Sequence, residues 1–218
     1  MAALVFDLDG TLVDSAPELH KAANAFLAEK GLPVQTLDAV KSFVGNGAVK
    51  LTERLLAAAG QPAEGAALDA QAKRFVEIYA ALPPGDTVTY PGVPQELARL
   101  AGQGHRMGIC TNKPAGPTRA ILDALGLAKY FGAVVGGDSL DVQKPDRRMM
   151  IEVADRLGSK TALLVGDSEV DAATALAANV PFILFTEGYR KRPAAEIPHD
   201  AVFARWADFP DTLRRVYL

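Results

Sequence analysis

Three carboxylates fall within one short stretch, LVFDLDGTLVDS at residues 4–15: Asp7, Asp9 and Asp14. Asp7 and Asp9 stand directly behind the apolar run AALVF at 2–6. Such a run ending in charge suits a strand buried on both faces. Like charges at its tip repel, so the pair calls for a cation or a chemical use. Further polar residues trail other apolar runs. Thr111 and Asn112 end RMGICTN (106–112), and Lys144 follows FGAVVGGD (131–138). Asp167 ends TALLVGD (161–167), with Asp171 close behind. In a parallel sheet, ligands bind beyond the carboxyl ends of the strands, so four separate stretches deliver these groups to one edge.

Asp7, Asp9 and Asp167 together make an oxygen-rich, negative pocket. A hard divalent cation removes their repulsion, and Mg²⁺ prefers few carboxylates plus water and a substrate phosphate. The hydroxyl of Thr111, the amide of Asn112 and the ammonium of Lys144 are donors suited to a phosphoryl group. One shielded carboxylate can attack phosphorus to form an aspartyl-phosphate. A second, kept protonated by its like-charged neighbour, can protonate the leaving oxygen and later deprotonate water.

The elements that must position these groups follow from the pattern. From about residue 16 to 83 the chain is Ala-rich and helix-like, with helices closing near Lys30–Gly31, over 48–60 and over 68–80. LPPGD at 82–86 reads as a linker or turn. After it, short apolar runs, ending with PFILFT at 181–186, alternate with helix-like segments at 93–101, 115–125, 146–157 and 169–178. That order predicts an α/β fold: a doubly wound, mostly parallel sheet joined by the N-terminal strand. Residues 1–14 and 84–218 form its core, and 15–83 an inserted helical domain.

Composition narrows the classes. The chain has 218 residues, 22% of them charged, with net charge −3. Nothing in that balance points to nucleic acid or an anionic membrane. A single cysteine, Cys110, excludes a disulfide framework, and with three scattered histidines a zinc site is disfavoured. No segment reads as a signal peptide or a membrane span. The expectation is a soluble cytoplasmic protein.

The chain resembles the haloacid dehalogenase superfamily of phosphatases, and among them the phosphoglycolate phosphatases. The matching residues are DLDGTLVDS (7–15), TNKP (111–114), KPD (144–146) and GDSEVD (166–171), with FVGNG (43–47) and YPGV (90–93) between them. The resemblance implies Asp7 as nucleophile and Asp9 as general acid–base. It implies Mg²⁺ on Asp7, the backbone carbonyl of Asp9, and Asp167. Thr111, with Asn112 beside it, and Lys144 would bind the phosphoryl group, and Asp171 would orient the metal shell or Lys144. The helical insertion resembles a small cap, with Gly45, Asn46 and Gly47 reaching the leaving group. The chain departs from the family at Arg147 and Arg148, where a second proline often follows Lys144.

The implied reaction is hydrolysis of a small phosphorylated metabolite, 2-phosphoglycolate, by a monomer or homodimer. Rival readings are another small monoester, pyrophosphate, a sugar-phosphate mutase, or a non-catalytic phospholigand-binding protein. A true dehalogenase is disfavoured because Asp9 has no use there. A calcium loop fails because Gly10 comes too early and the third acid is missing. GGDSL (136–140) reads as a turn, YRKRP (189–193) as a solvated loop that could neighbour the site, and Cys110 as a buried apolar residue. His20, His105 and His199 read as ordinary surface or half-buried residues.

Overall fold

In the computed structural model, residues 2–82 and 85–217 are described. Pro83 and Pro84, within the predicted linker, lie outside them. The chain begins with β1 (Ala3–Phe6), β2 (Val13–Asp14), and the helices α1 (Ala16–Glu29), α2 (Leu37–Phe43), α3 (Gly47–Ala58) and α4 (Gly65–Ala81). It continues with β3 (Val88–Thr89), α5 (Val93–Gly102), β4 (Met107–Cys110), α6 (Ala115–Ala124) and β5 (Ala133–Val135). Then come α7 (Arg148–Arg156), β6 (Ala162–Gly166), α8 (Glu169–Ala178), β7 (Phe182–Phe185), β8 (Ala201–Phe203) and α9 (Phe209–Tyr217). Two compact units result, Met1–Asp14 with Val88–Leu218, and Ser15–Thr87.

In the first unit the sheet order is β5-β4-β1-β6-β7-β8, with every neighbouring pair parallel. The chain steps outward from β1 twice, once through β4 and β5 and once through β6, β7 and β8. The reversal lies between β1 and β6, where open α/β sheets carry their ligand crevice. Period-two alternation divides the strands between two apolar layers. Leu4 and Phe6 of β1 join Ile109, Val165 and Ile183 on one face, with α5, α6 and α9 supplying Leu97, Ile121 and Phe209. Ala3 and Val5 join Cys110, Leu164 and Leu184 on the other, covered by Met149 and Val153 of α7 and Ala175 of α8. Because both faces are covered, the strands are continuous apolar runs rather than alternating ones. The fold is the doubly wound α/β core with an inserted helical domain.

The second unit is helical. Phe26 of α1 meets Phe75 of α4 edge to face, with ring centres 6.0 Å apart. Leu51, Leu55 and Leu56 of α3 and Leu68 of α4 are buried in it. α1 stops where Gly31 adopts a left-handed φ of 66°. There Leu32 N–H reaches back to the Leu27 carbonyl at 2.9 Å and Gly31 N–H to Ala28 at 3.0 Å, closing the orphan carbonyls.

The sequence reading passed over α2, β2, β3, β8 and α9. Two- and three-residue strands carry no measurable periodicity. β8 exists because β7 offers it a parallel partner, Leu184 facing Val202. No helix among the described residues is long and apolar enough to cross a membrane.

Candidate active site

The sheet register brings the acids to one edge. Asp7 N–H still bonds the Val165 carbonyl at 2.9 Å, so Asp7 is the last residue held in line beside β6. Thr111 N–H bonds Val135 in the same way at 3.1 Å, one residue past β4. Asp167 stands one residue past β6. After Asp7 the chain leaves the sheet. Leu12 and Val13 N–H groups return to the Leu8 carbonyl, and Gly10 N–H bonds Val13. That turn aims Asp9 differently from Asp7.

Lys144 is the hub. Its Nζ lies 2.6 Å from Asp171 Oδ1 and 2.9 Å from Asp7 Oδ1. Asn112 grips the Lys144 backbone from both sides: its Oδ1 accepts Lys144 N–H at 2.8 Å and its Nδ2 donates to the Lys144 carbonyl at 3.1 Å. Asp171 is equally anchored. Its Oδ2 accepts the amides of Asp167 and Ser168 at 3.2 and 3.1 Å and the Ser168 hydroxyl at 2.6 Å. With Ser168 Oγ accepting Asp171 N–H, this is a capping box that starts α8. One carboxylate thus caps a helix and holds a lysine.

Asp167 is enclosed. Thr11 Oγ1 donates to its Oδ1 at 2.9 Å and Tyr189 N–H to its Oδ2 at 2.5 Å. Gly10, with φ at 86°, approaches so closely that a Cβ there would sit 2.5 Å from Asp167 Oδ2. A Cβ on Gly188 would strike both the Asp167 side chain and the Gly10 carbonyl. Tyr189 corrects the reading of YRKRP as a solvated loop. Its ring is buried and its hydroxyl donates to Asp14 Oδ1 at 2.7 Å. Burial first, then Tyr90 and the bond to Asp14, raises that phenol far above its usual range. A tyrosine opening a basic run gives no hint of this in one dimension.

Asp9 has its own partner. Lys113 Nζ lies 3.2 and 3.3 Å from its two carboxylate oxygens, and the lysine side chain is only 5% exposed. Sequence reasoning missed Lys113, although it stands inside the quoted TNKP stretch, because its burial shows only in the structure. Thr111 is buried, and its Oγ1 accepts Lys113 N–H at 3.3 Å. Thr11 and Ser168 were also missed. Gly45, Asn46 and Gly47 belong to the helical unit, where Asn46 Oδ1 accepts Arg54 Nη2 at 2.8 Å ahead of α3. Arg148, at the point of departure from the family, pairs with Asp146 at 3.0 Å and Asp141 at 3.2 Å on the surface.

Oxygens of Asp7, Asp167 and Asp171 lie within 4.8 Å of one another. Among the described residues this carboxylate grouping takes in Asp171 and leaves out the Asp9 side chain, which the turn carries to Lys113. Burial pushes the Asp7 carboxyl up to about 6 against the pull of Lys144, with Asp171 adding to the rise. Burial, then Asp171 and Asp7, raises Asp167 well above the usual carboxylate range. Burial works against the Lys144 ammonium, but Asp171 and Asp7 outweigh it and raise its pKa. Crowded acids held up in this way fit a hard cation. Asp7 Oδ1, buried and without an aligned hydrogen bond, has acceptor capacity left for one. Both Asp171 oxygens are engaged by Lys144, Ser168 and the Asp167 amide, and both Asp167 oxygens by the Thr11 hydroxyl and the Tyr189 amide.

The family model of haloacid dehalogenase-like hydrolases matches residues 1–179. The chain belongs to that family. This hydrolase is 46% identical over 216 residues to phosphoglycolate phosphatase of Cereibacter sphaeroides (strain ATCC 17029), covering 99% of each chain. It is 45% identical to phosphoglycolate phosphatase of Rhodospirillum rubrum, covering 97% of this chain and 90% of the relative. The crystal structure of a predicted phosphoglycolate phosphatase from Haemophilus somnus 129PT superposes with a TM-score of 0.89 at 30% identity, covering 97% of each chain.

Proposed function

We propose that this hydrolase is a Mg²⁺-dependent phosphatase that cleaves 2-phosphoglycolate through an aspartyl-phosphate on Asp7. The observation that carries the reading is the meeting of Asp7, Lys144 and Asp167 at the sheet's reversal point, from segments far apart in sequence. The substrate rests on the whole-length similarity to phosphoglycolate phosphatases.

Asp7 attacks phosphorus. The ester oxygen leaves with a proton from Asp9, releasing the alcohol product. Water then attacks the same phosphorus while Asp9 takes its proton, which frees phosphate and restores Asp7. Thr111 and Lys144 hold the phosphoryl oxygens. Asn112 and Asp171 position Lys144, one at its backbone and one at its ammonium. Asp7, Asp167 and the Asp9 carbonyl would hold Mg²⁺, which supplies neutralisation of the charge gathered on the phosphoryl oxygens. Residues 15–83 act as the cap, and Gly45, Asn46 and Gly47 contribute to holding the leaving group. The enzyme works in the cytoplasm.

The test is phosphate release from a panel of phosphorylated small metabolites with Mg²⁺. A kcat/KM for 2-phosphoglycolate well above all others supports the reading, and a flat profile or no turnover overturns it.

A further inference from the structure

Each of the first two acids has its own lysine, and the two pairs are built differently. Lys144 is locked: it bonds Asp171 at 2.6 Å, lies 2.9 Å from Asp7, and has its backbone clamped by Asn112. Lys113 instead shares one ammonium between both oxygens of Asp9 at 3.2 and 3.3 Å, a longer and forked contact. Its backbone is nevertheless fixed, with its carbonyl accepting Gly137 N–H at 2.9 Å. Burying a lysine is costly unless an anion meets it. A weakly held anion at a rigidly placed cation is one that can be exchanged.

Charge makes the exchange worthwhile. Asp7, Asp9, Asp167 and Asp171 set four carboxylates against the two ammonium groups of Lys144 and Lys113, a formal excess of two negative charges. A divalent cation cancels that excess and leaves no positive charge over for the substrate's own anionic groups, so a carboxylate on the substrate needs a cation that one of the four acids gives up. If Asp9 is to reach the leaving oxygen, it must also come away from Lys113.

We infer that Lys113 is a specificity-determining residue for substrates whose alcohol part carries a carboxylate. That carboxylate takes over the Lys113 ammonium from Asp9, and Asp9, released from the cation, takes up a proton from solvent and can give it to the leaving oxygen. This rests on the phosphatase reading above. It adds that the enzyme selects α-carboxylate phosphate esters and that an uncharged ester of the same size leaves Asp9 occupied.

The test compares 2-phosphoglycolate with ethyl phosphate on the wild-type enzyme and on Lys113→Met and Lys113→Arg. Wild type is expected to prefer 2-phosphoglycolate in kcat/KM. Lys113→Met is expected to shrink that preference by roughly 10- to 100-fold, the worth of a charged hydrogen bond. Lys113→Arg keeps a cation and is expected to keep much of the preference. Equal losses on both esters in the methionine variant, with the preference intact, would make Lys113 a positioning residue for Asp9 alone and overturn the inference. So would a wild-type enzyme indifferent to the carboxylate, whether or not the variants fold. Absence of phosphate release from either ester in the wild type is a separate outcome, which rejects the phosphatase reading along with this one.

Discussion

The two units treat buried charge in opposite ways. The α/β unit buries Asp7, Lys113, Lys144, Asp167 and Asp171 together at one sheet edge. The helical unit, among the described residues, buries one charged side chain, Glu18, which accepts a hydrogen bond from the Thr87 hydroxyl. Its interior is otherwise mostly apolar, with Phe26, Phe75, Val40 and leucines at helical spacing among its buried side chains. Ionised groups at close quarters cost desolvation that their attraction only partly returns. The α/β unit carries that cost because both faces of its sheet are sealed by large apolar layers. Mutations in the acidic edge should therefore remove function and leave the fold, whereas mutations in the helical interior should act on stability first.

The sharpest break of that contrast is Asp7→Asn. Loss of the proposed nucleophile should lower kcat by on the order of 10⁴-fold or more, about 5 kcal/mol of transition-state stabilisation. Circular dichroism and the unfolding midpoint should stay close to wild type; a collapsed fold would erase the distinction between the units. Removing divalent cations with EDTA should stop phosphate release on the same scale, and Mg²⁺ should restore it. Full activity in the chelated enzyme would contradict a cation role for Asp7 and Asp167.

In the helical unit, Phe75→Ala removes one ring of the pair with Phe26. Urea unfolding should show a loss of about 3–5 kcal/mol, the cost of emptying a buried aromatic site. Back in the acidic edge, Asp171→Asn weakens the hold on Lys144 and should cost activity by about 10- to 100-fold, the range of outer partners that orient a site. The drop should appear in kcat/KM with little change in the far-ultraviolet spectrum.

The smallest effect sits away from both. His105 has its pKa lowered, by burial first and by Arg99 next, and its Nδ1 is buried without a hydrogen-bond partner. A histidine whose folded pKa is depressed binds fewer protons folded than unfolded. Its contribution is complete above the ordinary value of 6.5 and is lost as pH falls below it toward the folded value. Unfolding midpoints taken across pH 5 to 8 should show that decline, and His105→Gln should flatten it.

How far the site could be read in one dimension differs residue by residue. Asp7 was legible because a four-residue strand of fully buried side chains ends directly before it. Asp167 was legible for the same reason at β6. Lys113 was not, because lysine in a loop is ordinarily solvated, and only its approach to Asp9, 104 positions away, marks it. Tyr189 was hidden by the basic residues that follow it, Arg190, Lys191 and Arg192. β8 was hidden by its length, since three residues cannot display a period.

The order of apolar runs and the acids behind them is a property of the sequence alone. It determined the parallel sheet, the shared edge and the presence of Asp7, Thr111, Lys144 and Asp167 there, because strand burial and right-handed crossovers leave few other arrangements. Only the tertiary structure decided which acid meets which lysine. That choice depends on the turn after β1, which directs Asp9 to Lys113, and on α8, whose cap brings Asp171 to Lys144. Pairings of this kind are set by distances of a few ångströms between segments that the sequence keeps far apart.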